Sequence, residues 1–174
     1  MKECNGVVDI VKFSHERIPN FEVKFPYGFA KVEIETLGSN GIKFRTNKSK
    51  VGKWHYLAPF KLPNVRDTAG AGDWCSAGII AHLAELQTPK ISSLNVKDWS
   101  NAINSGQSYA AISCLFVGAR GLMYSIGSQK LKTLTSELLT YGKLDEKTLK
   151  TVSDKPIQGE MKLSISKLLV NVDF

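Results

Sequence analysis

The sequence has no long apolar run, and its 174 residues include only three cysteines and three histidines. No stretch approaches the roughly 20 apolar residues of a membrane helix, and residues 1–6 lack the apolar region of a signal peptide. Cys4, Cys75 and Cys114 are odd in number and widely spaced, which favours reduced thiols over a disulfide framework or a metal site. We therefore expect a cytoplasmic protein without a membrane partner.

Acidic residues are also scarce, with 16 against 23 lysines and arginines, so the net charge is +7. Five basic residues lie close together with no acid between them: Lys43, Arg45, Lys48, Lys50 and Lys53. Such clusters usually form a solvated face or a loop tip. No helix-turn-helix, RNP-like motif or interleaved aromatic pattern accompanies the cluster, so we expect no nucleic-acid partner. Attraction of an anionic nucleotide is the simpler explanation of the charge.

The hydrophobic fraction of 43% suits one ordinary globular domain with a sizeable core. Apolar and β-branched patterns predict strands over 7–13, 30–37, 42–45 and 54–58, with turn residues at 38–41. Residues 18–30 show little helical periodicity, so any crossover helix there is reduced to a turn or an irregular loop. Helices are predicted from the glycine-rich segment at 70–72 to about Leu86, from about Asp98 to 114, over 131–139 and from about Leu144. The apolar residues over 163–170 indicate either a third short element or a contact with a partner.

One segment stands out, the run from Asp67 to Asp73, D-T-A-G-A-G-D, at the start of an apolar helix. Small residues there leave backbone N–H groups accessible at the positive end of the helix, which favours an anion such as a phosphoryl group. A carboxylate at Asp73 can accept a proton from a substrate hydroxyl beside that anion. The alternative is structural: Asp67 or Thr68 caps the helix, and the glycines permit close packing.

These seven residues resemble the D-T-x-G-A-G-D signature of the ribokinase-like (PfkB) family of sugar kinases, and the run W-C-S-A-G that follows looks like the helix that continues it. The resemblance implies an α/β fold, part of a three-layer sandwich with a small, mostly parallel sheet flanked by helices. It also implies that Asp73 is the catalytic base and that the amides of Gly70, Ala71 and Gly72 form the anion hole. The implied cofactors are ATP and Mg²⁺.

The segment T-L-G-S-N-G resembles the T-x-G-x-x-G segment that lines the nucleotide site in this family. On that resemblance Thr36, Gly38 and Gly41 contact ATP, whereas on residue types alone the segment is simply the turn of a β-hairpin. The run from Gly106 to Gly121 resembles a later family segment that flanks adenine and, in many members, a monovalent cation. It implies an adenine contact at Gln107.

A third family motif, N-x-x-E, matches poorly. Ser14 takes the asparagine position, Arg17 takes the glutamate position, and Glu16 lies one place early. Glu16 is therefore the candidate metal-organising carboxylate, and a plain surface acid is the alternative.

The resemblance covers roughly residues 7–127 and corresponds to the C-terminal half of a ribokinase-like kinase. We accordingly divide the chain into a nucleotide-binding and catalytic half domain, 1–127, and a C-terminal extension, 128–174. The expected function is ATP-dependent phosphorylation of a sugar hydroxyl. The alternative is a truncated or degenerate, non-catalytic nucleotide-binding module that needs a partner, either a chain that carries the missing N-terminal half or a second copy.

Overall fold

The computed structural model describes residues 7–47, 52–86 and 90–153. Four strands form one sheet in the order β1-β2-β3-β4: β1 (Ile10–Ser14), β2 (Val32–Thr36), β3 (Ile42–Thr46) and β4 (His55–Leu57). The helices of this part are α1 (Phe21–Lys24), α2 (Ala71–Glu85), α3 (Val96–Ser113), α4 (Gly121–Ser125), α5 (Ser128–Tyr141) and α6 (Glu146–Ser153). None of these described helices is long and apolar enough to cross a membrane.

The sheet is mixed, and the prediction of a mostly parallel sheet is wrong. Only β1 and β2 run parallel, with Ile10 opposite Val32, while β2–β3 and β3–β4 are both antiparallel. The physical reason is the length of the connections, because the few residues 37–41 between β2 and β3 can only return the chain as a hairpin. The hairpin that the turn residues predict is confirmed.

The crossover between the parallel strands β1 and β2 contains a single helix of four residues, α1. This agrees with the prediction of a reduced crossover over 18–30. One face of the sheet is thus covered by a short irregular segment rather than by a full helical layer.

The other face of the sheet packs against α2 and α3 and forms the main core. Alternation along the strands directs Ile34 and Phe44 into this core, where they meet Ile79 of α2 and Ile103 of α3. The two helices approach closely at Gly78 and Gly106, with no room for side chains. This close crossing places the beginning of α2 against the sheet.

Charged side chains are buried on the face covered by α1. Glu33 and Arg45 are almost fully buried and form an ion pair, and Glu33 also accepts from the backbone of Phe29 and Ala30. The cluster of basic residues predicted to be solvated is therefore partly internal, and that prediction is wrong for Arg45. Burial is tolerated because each charge has an opposite partner and further hydrogen bonds.

Lys43 of the same basic cluster also has acidic partners. Its ammonium lies 2.7 Å from a Glu22 oxygen and 3.0 Å from a Glu35 oxygen. Lys53 is exposed, and Lys48 and Lys50 lie outside the described residues. Lys43 and Arg45 of the basic cluster are thus neutralised by acidic partners within the fold.

A second core joins the end of α3 to α4, α5 and α6. Ile112 and Leu122 pack there with Leu134 and Leu138, in agreement with the amphipathic helix predicted over 131–139. The helix predicted from about Leu144 is α6, whereas the element predicted over 163–170 lies outside the described residues. The described part of the proposed extension therefore shares a core with α3 and α4.

The helix predicted from about Asp98 is α3, which begins two residues earlier, at Val96. Asn95 is the N-cap, and Asp98 is the first-turn acid that completes a capping box. Cys75 and Cys114 are free thiols, and burial raises the pKa of both. Cys4 lies outside the described residues.

Candidate active site

The glycine-rich loop enters α2 through a conformation that suits glycine. Gly70 is the N-cap, with φ +75°, and a Cβ added there would lie 2.8 Å from the Cβ of Ala119. The first hydrogen bond of α2 runs from the Trp74 N–H to the Gly70 carbonyl, at 2.9 Å. Two constraints, a positive φ and a close neighbour, therefore require glycine at position 70.

The start of α2 presents unpaired backbone donors. The Ala71 N–H donates to the Thr68 carbonyl at 3.2 Å. The N–H groups of Gly70, Gly72 and Asp73 have no acceptor among the described residues. Of the three amides predicted to form the anion hole, two are free, and Asp73 supplies a further free donor at the positive end of the helix.

The Asp73 carboxylate is exposed in the first turn of α2 and has no hydrogen-bond or ion-pair partner among the described residues. An acid in this turn interacts favourably with the helix dipole. It also leaves an exposed carboxylate next to the free amides.

Asp67 fixes the loop that precedes α2. One of its carboxylate oxygens accepts from the Ala69 N–H at 2.9 Å, and the other accepts from the Gly118 N–H at 2.7 Å. Trp74 strengthens the same junction, because its indole N–H donates to the Ala119 carbonyl at 3.0 Å. The signature loop and the loop after α3 are thus held together as one unit.

Lys12 of β1 also lies at the start of α2, although no sequence motif includes it. Its ammonium donates to the Gly72 carbonyl at 3.0 Å, in the first turn of α2. A signal was present in the sequence: a lysine occupies a strand position between Val11 and Phe13 on the face that also carries Ile10.

The nucleotide residues predicted near the hairpin lie where β1 and β2 end. The Thr36 hydroxyl donates to the Phe13 carbonyl at 3.3 Å, and Gly38 is exposed in a short 3₁₀ turn over Gly38–Asn40. Packing alone requires glycine at position 41, because a Cβ there would lie 2.3 Å from the Leu57 carbonyl oxygen. A Cβ at Gly38 would have no neighbour within 4 Å, so this glycine borders open space.

Gln107 is almost fully buried in α3, and its amide donates to the Ala58 carbonyl at 3.2 Å. Ala58 directly follows β4, so Gln107 lies near the same end of the sheet as the hairpin turn. Its side chain holds the start of the loop that leads from β4 to the signature motif.

Glu16 is exposed in the turn after β1. The described residues contain no group of three or more His, Cys, Asp or Glu side chains that could hold a metal ion.

A family model described as pfkB family carbohydrate kinase matches residues 25–124, more than half of the chain. The chain belongs to the pfkB family of carbohydrate kinases. The match includes the signature loop, α2 and the hairpin. No curated protein sequence matches this family member significantly.

Solved structures show that the fold of this pfkB chain is ribokinase-like. A probable sugar kinase from Rhizobium etli CFN 42 is 19% identical, with a TM-score of 0.55, over 79% of this chain and 37% of that one. Fructokinase from Vibrio cholerae O395, in a fructose, ADP and calcium ion bound form, is 20% identical, with a TM-score of 0.57, over 75% and 42%. The chain thus spans about two fifths of the length of these proteins.

A third similar structure is aminoimidazole riboside kinase from Salmonella enterica, complexed with aminoimidazole riboside and an ATP analog. It is 19% identical, with a TM-score of 0.56, over 73% of this chain and 42% of that one. At these identities the likeness concerns the fold.

The contribution of Asp67 to the stability of this pfkB chain depends on pH. The N–H groups of Ala69 and Gly118 hold the pKa of the Asp67 carboxyl below its ordinary value. Its contribution to stability is therefore complete above the unfolded pKa of about 3.9 and disappears as the pH falls through the lower folded pKa. We expect Asp67→Asn to lower Tm at pH 7 and the difference from wild type to narrow below about pH 4. Thermal unfolding of both proteins from pH 7 to pH 3 measures this. A Tm difference that stays constant over this pH range would contradict the prediction.

Proposed function

We propose that the chain supplies the nucleotide-binding and phosphoryl-transfer part of an ATP-dependent kinase that acts on a sugar hydroxyl. One observation carries the proposal: free amides at the start of α2 lie beside the unpaired, exposed carboxylate of Asp73. A purely structural helix start has no need of both. The family match supports the same reaction class.

The free amides of Gly70, Gly72 and Asp73 bind phosphoryl oxygens and stabilise the charge that accumulates on them during transfer. Because Asp67 and Trp74 fix the loop, these donors keep their geometry before the substrate arrives. Such preorganisation lowers the cost of ordering at the moment of reaction.

Asp73 accepts the proton of the attacking hydroxyl. The substrate oxygen then bonds to the γ-phosphorus, the bond from that phosphorus to the bridging oxygen breaks, and ADP leaves with the electron pair. Magnesium, when bound, neutralises phosphate charge. Glu16 is the candidate carboxylate that would help to hold this ion. The candidate residues around the nucleotide are Thr36, Gly38, Gly41 and Gln107.

The alternative is a nucleotide-binding module that does not catalyse transfer by itself. The length of the chain favours this alternative, because it spans only 37–42% of the length of the solved kinases above. The N-x-x-E positions also carry Ser14 and Arg17. Nucleotide binding without turnover would identify this alternative, and activity regained with a partner chain would define what it lacks.

A charge at Gly72 tests the nucleotide site. A Cβ there would have only the Lys12 ammonium within 4 Å, at 3.9 Å, so the fold accommodates a side chain. We expect Gly72→Glu to raise the Kd for a non-hydrolysable ATP analogue with magnesium above about 1 mM, because the new carboxylate repels the phosphates. Isothermal titration calorimetry measures the affinity.

The matched control is Gly72→Ala, which adds the Cβ without the charge. Its affinity should stay close to that of wild type, and both variants should keep the wild-type thermal unfolding. Equal binding by Gly72→Glu would place the nucleotide elsewhere. Absence of binding by wild type at millimolar ligand would contradict the proposed function for this chain.

A further inference from the structure

We propose that two copies of the chain form a symmetric dimer through the open edge of β1 and the outer face of α2, so that their sheets continue into each other. The occupant of this surface is therefore a second copy of the chain. The dimer is independent of the function proposed above, because its formation requires no nucleotide. Two neighbouring surfaces carry the proposal, an unpaired strand edge and an apolar helix face.

The strand β1 presents free backbone groups at the edge of the sheet. Its one neighbour among the described strands is β2. The Asp9 carbonyl and the His15 N–H bond to β2, and alternate residues of a strand point the same way. The N–H and C=O groups of Ile10 and Lys12 therefore face away from β2. Since β1 contains no proline and pairs with β2 without a bulge, this edge is open to another strand.

The helix above this edge is apolar on its exposed side as well as on its buried side. From Trp74 to Ala84 it contains no Asp, Glu, Lys or Arg. One side packs on α3 at Gly78, and the opposite side presents Ala77, Ile80 and Ala84, with Ile80 66% exposed. A helix that is apolar all round is normally buried all round. The outer face of α2, formed by these last three residues, therefore favours contact with protein.

The strand edge and the helix face lie side by side. The Lys12 ammonium contacts Gly72 of α2, and α3 contacts β3, so α2 lies on the β1 side of the sheet. Paired strands are about 4.8 Å apart. If two β1 strands pair about a two-fold axis, helices that lie above β1 and β2 are about 10 Å apart, close to the distance at which helices pack. One symmetric contact thus covers both surfaces.

The register explains why a second copy fits. When Ile10 lies opposite Lys12 of the second copy in antiparallel pairing, the free groups of both residues meet twice, with Val11 on the two-fold axis. The two Lys12 ammonium groups then stay apart, whereas Lys12 opposite Lys12 would join like charges. The register towards Ser14 is unfavourable, because the Ser14 carbonyl already accepts two hydrogen bonds in the turn after β1. A pairing of this kind closes after two copies.

A cysteine at Val11 tests the register. Two copies of Val11 occupy a non-hydrogen-bonded pair, with Cα atoms about 4.5 Å apart, which a disulfide can span. We expect most of the Val11→Cys chain to become covalently dimeric when diamide takes up the hydrogens of the two thiols, as seen on a non-reducing gel. The matched control is Val23→Cys on α1, where the valine is 79% exposed. It should show only the band pattern of wild type, whose own cysteines are thereby controlled.

A charge at Ile80 tests the helix face. Sedimentation equilibrium of the whole chain without nucleotide measures the affinity, and wild type should be dimeric at about 10 μM. We expect Ile80→Glu to weaken the dimer at least about tenfold, because its carboxylate would be buried against an apolar face without a partner. Val23→Glu, the same kind of change at the exposed position on α1, should keep the wild-type affinity. Thermal unfolding checks that each variant folds.

The outcomes separate the dimer from other uses of this surface. A wild-type chain that stays monomeric at about 1 mM overturns the proposal, even if it binds a chain that carries the N-terminal half of a kinase. A dimer that neither cross-links through Val11→Cys nor weakens in Ile80→Glu uses another surface and overturns it as well. Assemblies that grow beyond two copies contradict the symmetric pairing. If Ile80→Glu fails to fold, the cross-link at Val11 decides.

Discussion

Asp73→Asn is expected to lower the rate of phosphoryl transfer by about a hundredfold to ten-thousandfold, the usual contribution of a positioned general base. The carboxylate is exposed and unpaired among the described residues, so its replacement breaks no contact of the fold. Nucleotide affinity should stay the same or increase, because a negative charge next to the phosphates is removed. Release of ADP with a panel of sugars measures turnover, and calorimetry with an ATP analogue measures binding.

Asp98→Asn is the matched control. Asp98 has the same place in α3 as Asp73 in α2, the third residue after the N-cap, but it belongs to a capping box. We expect this variant to lose stability and to keep its turnover. Equal turnover of Asp73→Asn and wild type would exclude Asp73 as the base, whereas nucleotide binding without turnover by wild type would favour the non-catalytic module.

Gly106→Ala is expected to destabilise the chain even though alanine is the better helix former by about 1 kcal/mol. The added Cβ would lie 2.6 Å from both the Cys75 carbonyl oxygen and the Ile79 Cγ1, at the crossing of α2 and α3. Overpacking of this kind costs about 1–3 kcal/mol. For a chain of this size, Tm should fall by roughly 3–10 °C, which thermal unfolding by circular dichroism measures.

Gly127→Ala makes the same chemical change where a Cβ would have no neighbour within 4 Å. Its Tm should fall by only about 2–3 °C, because Gly127 is the N-cap of α5 and alanine is a poorer N-cap than glycine by less than about 1 kcal/mol. A Tm of Gly106→Ala equal to or above that of wild type would mean that α2 and α3 separate at little cost. The position of the α2 N-terminus on the sheet would then depend on other contacts.

The local features of the site follow from the sequence because they depend on residues close together in the chain. The run from Asp67 to Asp73 predicts a loop that enters a helix, and Gly70 has the positive φ that such an entry requires. The turn after β2 likewise predicts the hairpin. The roles of Asp73 and of the hairpin glycines in catalysis and nucleotide binding stay predictions.

Features that depend on distant residues could not be predicted in the same way. The sequence suggests a solvated basic cluster, but Arg45 is buried because the segment before β2 folds over this face of the sheet. The antiparallel pairing of β2 with β3 places the Glu33 carboxylate directly opposite Arg45. The direction of the strands was predicted from the family fold, and the short connections instead produced a mainly antiparallel sheet.

By itself the sequence determined most of the strands and helices, the signature loop and the family, since these are encoded in short patterns of residue type. Only the tertiary structure decided which groups meet at the start of α2. The pairing of Asp67 with Gly118 and of Lys12 with Gly72 joins residues 51 and 60 positions apart. Such contacts depend on how the helices and strands pack, a property of the whole chain that no local pattern encodes.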